Sequence, residues 1–160
     1  MLFRSEILQR EKALADRGRS PFTLCIFDLD NFKHVNDTYG HLSGDMVLRV
    51  LIHEIKRNIR EQDYIARYGG EEFVVILAYP EMEEALACAE RLKEVASGLR
   101  YPGLPGDFNI TISMGVTRFR PGESIDSLVG RADTALYQAK TGGKNRIAVE
   151  HSLQPEIRQA

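Results

Sequence analysis

Residues 22–30 read Phe22-Thr-Leu-Cys-Ile-Phe27-Asp28-Leu-Asp30, a largely apolar run of strand length that ends in carboxylates. An apolar run without alternation is typical of a strand that is buried on both faces in the middle of a sheet. The sequence therefore predicts a central strand at residues 22–27, with Asp28 at its carboxyl end.

The size and charge of the chain limit the architecture around this strand. The 160 residues are 43% hydrophobic, enough for one well-buried core, so we predict a single domain over residues 1–150 and a C-terminal tail at 151–160. A formal net charge of -2 argues against binding to nucleic acid polymers. Every apolar run is far shorter than the roughly 18 residues of a membrane span, so we predict no membrane contact from this segment.

Apolar periodicity predicts the remaining elements. Helices are expected at residues 3–17, 45–60, 81–99 and from a Ser124 cap to about 142, with a break at residues 40–44. Strands are expected at residues 64–68, 72–78, 110–116 and 146–149. The resulting order, α-β-α-β-β-α-β-α-β, predicts an α/β fold with a central sheet and helices on its faces.

The two cysteines, Cys25 and Cys88, lie in apolar surroundings that favour buried thiols over a disulfide. This usage fits a reducing cytoplasm. The histidines are scattered and no Cys-x-x-Cys motif is present, so the sequence offers no ligand set for structural zinc.

Carboxylates and amides follow the central strand: Asp28 and Asp30, then Asn36, Asp37 and Asp45. They do not form an EF-hand loop, because Lys33 stands where that loop needs glycine and Tyr39 where it needs glutamate. Taken alone, an Asp-x-Asp after a strand is more often a turn or a helix cap.

A second motif, Arg67-Tyr-Gly69-Gly70-Glu71-Glu72-Phe73, predicts a hairpin with adjacent glutamates after a glycine turn. Charges at a hairpin tip are often simply solvated. If the hairpin flanks the central strand, however, Asp28 and Glu71 converge, and such carboxylates favour a cation between them. Magnesium fits, because it binds through one or two carboxylates and completes its shell with phosphates and water.

Together these motifs resemble those of the GGDEF domain family, the diguanylate cyclases, over residues 2–150. The resemblance implies a five-stranded, mostly antiparallel sheet flanked by helices, similar in plan to nucleotidyl cyclases and polymerase palms. It implies a bacterial signalling enzyme, a nucleotidyltransferase that condenses two GTP molecules into cyclic di-GMP and releases pyrophosphate. The implied active form is a homodimer with two Mg²⁺ or Mn²⁺ ions per active site.

The resemblance also assigns roles to residues. Asp28, the Leu29 carbonyl and Glu71 are implied metal ligands, and Glu72 would help to hold metal or accept the ribose 3′-hydroxyl proton. Asn36 and Asp45 resemble the guanine-reading residues, although Asp45 after Gly44 could also be a helix N-cap. The resemblance further implies substrate contacts by the lysines Lys33, Lys140 and Lys144 and by the glycines Gly69 and Gly70. The backbone amides of Asn31 and Phe32, just past the strand end, are predicted to bind phosphate as well.

Arg60-Glu-Gln-Asp63 precedes the hairpin and resembles the Arg-x-x-Asp site of the family, where the product binds and inhibits the enzyme. Arg60 would bind a phosphate or stack on guanine, and Asp63 would accept from the guanine edge. The alternative is a salt-bridged helix end.

Two other functions compete with a cyclase. A receptor would bind cyclic di-GMP at Arg60 and Asp63 without turnover, although the intact Asp28, Glu71 and Asp45 argue against it. A related GTP-using domain would make a different product. The sequence begins after the Asp-x-Leu-Thr-x-Leu-x-Asn-Arg segment usual in the family, and we expect it to be cut from a longer protein with an upstream sensor.

Overall fold

A computed structural model describes residues 2–18, 21–78 and 81–150. Within these ranges the helices are α1 (Leu2–Asp16), α2 (Phe32–Tyr39), α3 (His41–Arg57), α4 (Met82–Gly98) and α5 (Ile125–Thr141). The strands are β1 (Thr23–Leu29), β2 (Tyr64–Gly69), β3 (Glu72–Leu77), β4 (Ile112–Arg118) and β5 (Ile147–Val149). No helix in these ranges is long and apolar enough to cross a membrane.

The strands form one sheet in the order β2-β3-β1-β4-β5. Strand β1 pairs antiparallel with both β3 and β4, and β4 pairs parallel with the short β5. The predicted central strand is confirmed, as is the five-stranded, mostly antiparallel sheet. Because β1 lies between two partners, its carboxyl end meets the start of β3 and the start of β4 at one edge.

Side chains of β1 alternate between two cores, one on each face of the sheet. Cys25 and Phe27 face the core formed with α3 and α4, whereas Leu24 and Ile26 face the core formed with α1 and α5. Helices therefore cover both faces, which explains why the run at 22–27 is apolar without alternation. Cys25 and Cys88 are both buried, as predicted.

Helix α5 packs on β4 at unusually close range. A Cβ atom placed on Gly115 would lie 2.2 Å from the Ala132 carbonyl oxygen and 2.3 Å from the Leu136 backbone nitrogen. Only glycine lets the backbones of helix and strand approach this closely. The Ser124 cap of α5 is present, with the Ser127 N–H donating to Ser124 Oγ at 3.1 Å.

The break predicted at residues 40–44 is limited to Gly40 in the structure. Helix α2 was not predicted, and only Gly40, with φ 87°, separates it from α3. Gly44 lies inside α3, where an added Cβ would stand 1.9 Å from Asn36 Oδ1, so this glycine serves helix packing and not a chain break. Asp45 is not a helix N-cap, because α3 begins at His41, four residues earlier.

Strand boundaries differ less from the predictions. Strand β4 begins at Ile112, two residues after the predicted start at 110, and ends at Arg118. The predicted tail at 151–160 lies outside the described residues.

Candidate functional site

The site is built where three strand ends meet. Asp28 is the penultimate residue of β1, in register with Glu72 on β3 and with Ser113 on β4. Glu71 lies in the turn between β2 and β3, and its carbonyl oxygen accepts from the Leu29 N–H at 3.4 Å. The hairpin thus flanks the central strand and brings Asp28, Glu71 and Glu72 to one sheet edge.

The hairpin that carries the glutamates has a defined backbone. Gly70 has φ 52°, and the strand register shifts between Arg67 and Gly69. The Arg67 Nε–H donates to the Gly70 carbonyl at 2.8 Å, and the guanidinium carbon lies 6.0 Å from the centre of the Phe73 ring. The arginine therefore braces the turn from its own strand, a role that the sequence motif did not reveal.

The Asp28 carboxylate has two unequal oxygens. Lys140 Nζ donates to Oδ2 at 2.5 Å, whereas Oδ1 is buried and has no hydrogen-bond partner among the described residues. Burial raises the pKa of Asp28, Lys140 opposes this effect, and the nearby charges of Glu71 and Asp30 add to it. A buried carboxylate oxygen without a donor is an unfavourable arrangement that a bound cation would relieve.

Glu72 is subject to the same repulsion. Burial raises its pKa, and the neighbouring carboxylates of Asp133 and Asp28 raise it further, while Lys140 acts in the opposite direction. Asp133 lies on α5, seven positions before Lys140, so the two side chains are on one face of that helix. This spacing was the only sequence signal for Asp133, which was not predicted as a site residue.

The donor set suits a hard divalent cation. Within residues 2–18, 21–78 and 81–150, no three acidic, histidine or cysteine side chains cluster as a metal cage. The predicted set of two carboxylates and a backbone carbonyl, Asp28, Glu71 and Leu29, needs no such cage, because Mg²⁺ keeps water and substrate oxygens in its shell. Asp28 Oδ1, which has no hydrogen-bond partner in the described part of the chain, is the observation that fits a cation here.

Two lysines lie near Asp28 and the residues that follow it. Lys140 reaches it from α5, and Lys144, in the turn after α5, donates to Asn31 Oδ1 at 2.7 Å. Asn31 has φ 58° and is the N-cap of α2, whose first turn contains the buried Phe32 and the exposed Lys33. The N-terminus of a helix presents backbone N–H groups and partial positive charge, which suit phosphate.

The predicted guanine-reading residues lie on the paired helices α2 and α3. Asn36 packs over Gly44, and Asp45 follows Gly44 as an exposed residue of α3. The Asn36 amide thus lies against α3 at the residue that precedes Asp45.

Arg60 and Asp63 lie at the opposite end of the hairpin from Glu71. Asp63 is buried, and its carboxylate accepts from the backbone N–H groups of Arg60 and Ala78, each at 2.9 Å. The Asp63 N–H donates to the Arg60 carbonyl at 3.0 Å, which closes the turn between them, while the Arg60 side chain is exposed. Asp63 therefore has a structural role at this turn.

Comparisons with known proteins show the family of the chain. A family model described as "Diguanylate cyclase, GGDEF domain" matches residues 2–146. The diguanylate cyclase DgcP of Pseudomonas aeruginosa is 39% identical over 145 residues, which are 91% of this chain and 22% of that protein. The chain thus spans about a fifth of the length of this curated relative.

Solved structures show the same fold. The GGDEF domain of DgcB from Caulobacter crescentus, in complex with c-di-GMP, is 36% identical and has a TM-score of 0.85, over 92% of this chain and 88% of that one. The active GGEEF domain of a diguanylate cyclase from Vibrio cholerae is 33% identical with a TM-score of 0.80, over 88% of this chain and 89% of that one.

Proposed function

Since the chain belongs to the GGDEF family, we propose that it is a diguanylate cyclase domain that joins two GTP molecules into cyclic di-GMP and releases pyrophosphate. One observation carries the proposal: the carboxylates at the paired ends of β1 and β3 include a buried Asp28 oxygen without a partner among the described residues. A divalent cation and the phosphates of a nucleotide would complete this site.

Asp28, Glu71 and the Leu29 carbonyl would hold two Mg²⁺ or Mn²⁺ ions. Bound there, such ions would act as Lewis acids, favouring ionisation of a ribose 3′-hydroxyl and stabilising negative charge on the phosphates. Glu72, whose pKa is raised by burial and by Asp133, would hold metal or accept the 3′-hydroxyl proton. Both roles suit a carboxylate beside Asp28.

The nucleotide would extend from the helix junction to the strand ends. Asn36 and Asp45 would read guanine, because a carboxylate can accept from both its N1–H and its 2-amino group. Lys33, Lys140 and Lys144 would bind phosphate oxygens, together with the amides of Asn31 and Phe32 at the start of α2. Gly69 and Gly70 have no Cβ and would let the nucleotide approach the hairpin backbone.

The product contains two phosphodiester bonds, each joining the 3′-oxygen of one GTP to the α-phosphorus of the other. A homodimer in which each protomer presents one GTP would bring the reacting groups together. We place this reaction in the cytoplasm.

The activity is tested by incubating the purified domain with GTP and Mg²⁺ and identifying the nucleotide product by mass. We expect cyclic di-GMP and pyrophosphate, and no product after chelation of the metal. Binding of cyclic di-GMP without turnover would instead favour the receptor, and a different nucleotide would favour the third function.

Asp45→Ala is expected to weaken GTP binding and to lower the preference for GTP over ATP by about 100-fold. A site built around a buried hydrogen-bonding partner discriminates between a substrate and its analogue by about 10⁴-fold. Because Asp45 is exposed, we expect it to supply about 100-fold of the discrimination between GTP and ATP. Competition between GTP and ATP in the cyclase assay measures the change. Asp37→Ala, an exposed acidic residue on α2, is the matched control, and equal inhibition of the unaltered domain by ATP and GTP analogues would contradict the role.

Product feedback is proposed at Arg60 and Asp63. The exposed Arg60 guanidinium offers a positive charge to a phosphate of the product. The buried Asp63 carboxylate accepts from the backbone N–H groups of Arg60 and Ala78, so its part in this site is to hold the turn that presents Arg60. Cyclic di-GMP bound there between two domains would lower activity by reducing the population in which two GTP-loaded sites meet.

Arg60→Ala should therefore abolish binding of cyclic di-GMP and remove product inhibition, with initial turnover unchanged. Calorimetry and progress curves with added product measure the two effects. Arg57→Ala, three residues earlier and paired with Glu54, is the control for loss of a positive charge. Unchanged affinity in the Arg60 variant would leave Arg60 and Asp63 as a structural turn only.

A further inference from the structure

Asp30 is a buried carboxylate to which the proposed chemistry gives no role. It follows the last residue of β1, is 4% exposed, and lies close enough to Asp28 to raise the pKa of that group. A buried charge is retained only where donors compensate for lost hydration.

The donors to Asp30 come from two other segments of the chain. Oδ1 accepts from Ser113 Oγ at 2.6 Å, and Oδ2 accepts from Thr111 Oγ1 at 2.7 Å and from the Asn145 N–H at 3.0 Å. The Asp30 N–H also donates to the Thr111 carbonyl at 2.8 Å. This one side chain therefore ties the end of β1 to the start of β4 and to the turn after α5.

That turn has an uncommon backbone. Gly143, Lys144 and Asn145 have φ values of 123°, 62° and 45°, a region that side-chain-bearing residues rarely adopt. Such conformations persist when surrounding contacts hold them. The Lys144 N–H donates to the Ala139 carbonyl at 3.0 Å, and Asp30 holds the next residue by its amide.

The turn carries Lys144 to the N-terminus of α2. Lys144 Nζ donates to Asn31 Oδ1 at 2.7 Å, and Asn31, directly after Asp30, has its own left-handed φ of 58°. Asp30 is therefore linked to both partners of this contact. It is the residue before Asn31 in the sequence, and it accepts a hydrogen bond from the N–H of Asn145, the residue after Lys144. Each partner belongs to the phosphate-binding set of the proposed function.

We propose that Asp30 is a positioning residue that holds the Lys144 turn against the start of α2, and so sets the geometry in which this domain binds the phosphates of its nucleotide. The inference rests on the proposed function for the identity of the ligand, and on the described contacts for the placement of the turn. Asp30 acts here through its hydrogen bonds and not through its charge or as a metal ligand.

Two substitutions separate these possibilities. In Asp30→Asn, the amide oxygen can accept from Thr111 and Asn145 while the amide nitrogen donates to the Ser113 hydroxyl, which can also act as an acceptor. Asp30→Ala removes all of these contacts. A positioning role predicts near-normal function for the asparagine variant, whereas a metal ligand would be lost in both.

The probe is a non-hydrolysable GTP analogue with Mg²⁺, measured by calorimetry. We expect Asp30→Ala and Lys144→Ala each to weaken binding about tenfold, with Asp30→Asn within about threefold of the unaltered domain. In turnover, Asp30→Ala should raise KM more than it lowers kcat. The double variant should also lose only about tenfold, because both substitutions remove the same lysine contact.

Thermal unfolding checks the fold of each variant. If Asp30→Ala does not fold, Gly143→Ala replaces it, since alanine at φ 123° disturbs the same turn from the other side. Losses that multiply to about 100-fold in the double variant would overturn the proposal, as would an asparagine variant as weak as alanine.

Hydrogen exchange at the Lys144 amide gives a readout independent of nucleotide chemistry. This amide, bonded to Ala139, should exchange faster in Asp30→Ala and at the normal rate in Asp30→Asn. Unchanged exchange in the alanine variant would overturn the positioning role. A domain that makes no cyclic di-GMP but shows faster exchange would instead count against the proposed function alone.

Discussion

Asp28→Ala or Glu71→Ala is expected to abolish cyclic di-GMP formation, with a loss of about 1,000-fold or more, equivalent to about 4 kcal/mol of transition-state stabilisation. Each substitution removes a proposed metal ligand from the meeting point of β1 and β3. The fold should persist, because Asp28 is electrostatically unfavourable when no cation is bound: its Oδ1 is buried without a partner among the described residues. Product formation by chromatography and thermal unfolding measure the two outcomes.

The matched control is Glu83→Ala, which removes an exposed carboxylate in the first turn of α4 and should leave turnover unchanged. Lys140→Ala provides a second comparison of turnover. It removes the lysine ammonium group that contacts Asp28 in the structure and leaves the proposed metal ligands in place. If either the Asp28 or the Glu71 variant folds and still forms cyclic di-GMP at a rate near that of the control, the metal assignment is wrong.

Gly115→Ala is expected to destabilise the domain by about 3 kcal/mol or more, a large fraction of the stability of an ordinary domain. The added methyl group would overlap the backbone of α5 at Ala132 and Leu136, which cannot move aside as a flexible side chain can. Urea unfolding followed by circular dichroism measures the change.

Gly130→Ala is the matched substitution for this experiment. Gly130 lies in α5, the helix that packs against Gly115. It is exposed, and a Cβ added there would meet nothing within 4 Å. It should stabilise the domain by about 0.5–1 kcal/mol, because alanine is the better helix former. Equal stability of the two variants would show that α5 can shift away from β4 at little cost.

The order of helices and strands could be predicted largely from apolar periodicity, because the core obeys simple local rules, whereas the five-stranded, mostly antiparallel sheet was implied by the family resemblance. The continuous run at 22–27 marks a strand with two covered faces, and the structure places both cores there. Helix α2 was not predicted, and α3 was predicted to begin too late, because Gly40 and Gly44 both indicate a break in the chain when only the sequence is considered. One has a positive φ between helices, whereas the other lies inside α3 to admit Asn36, and only tertiary packing separates these roles.

The residues of the site also fall into those that local sequence motifs predict and those that only tertiary packing brings together. The sequence motifs indicated Asp28, Glu71 and Glu72 because their placement follows from strand pairing, which the glycine hairpin signals. The contacts of Asp30 with Ser113, and of Lys140 with Asp28, join residues 83 and 112 positions apart. Such pairs depend on how helices and turns pack, and no local pattern records them.

The tight contact at Gly115 also restricts how this sequence can change during evolution. The smallest possible side chain already overlaps the backbone of α5, so position 115 cannot drift by small steps. An accepted substitution would need α5 to move away from β4 at the same time, and Lys140, which α5 carries, would move relative to Asp28. A substitution at position 115 would therefore disturb the packing of α5 on β4 and the placement of Lys140 in the site at the same time. Selection on the site thus also acts on this position of the core.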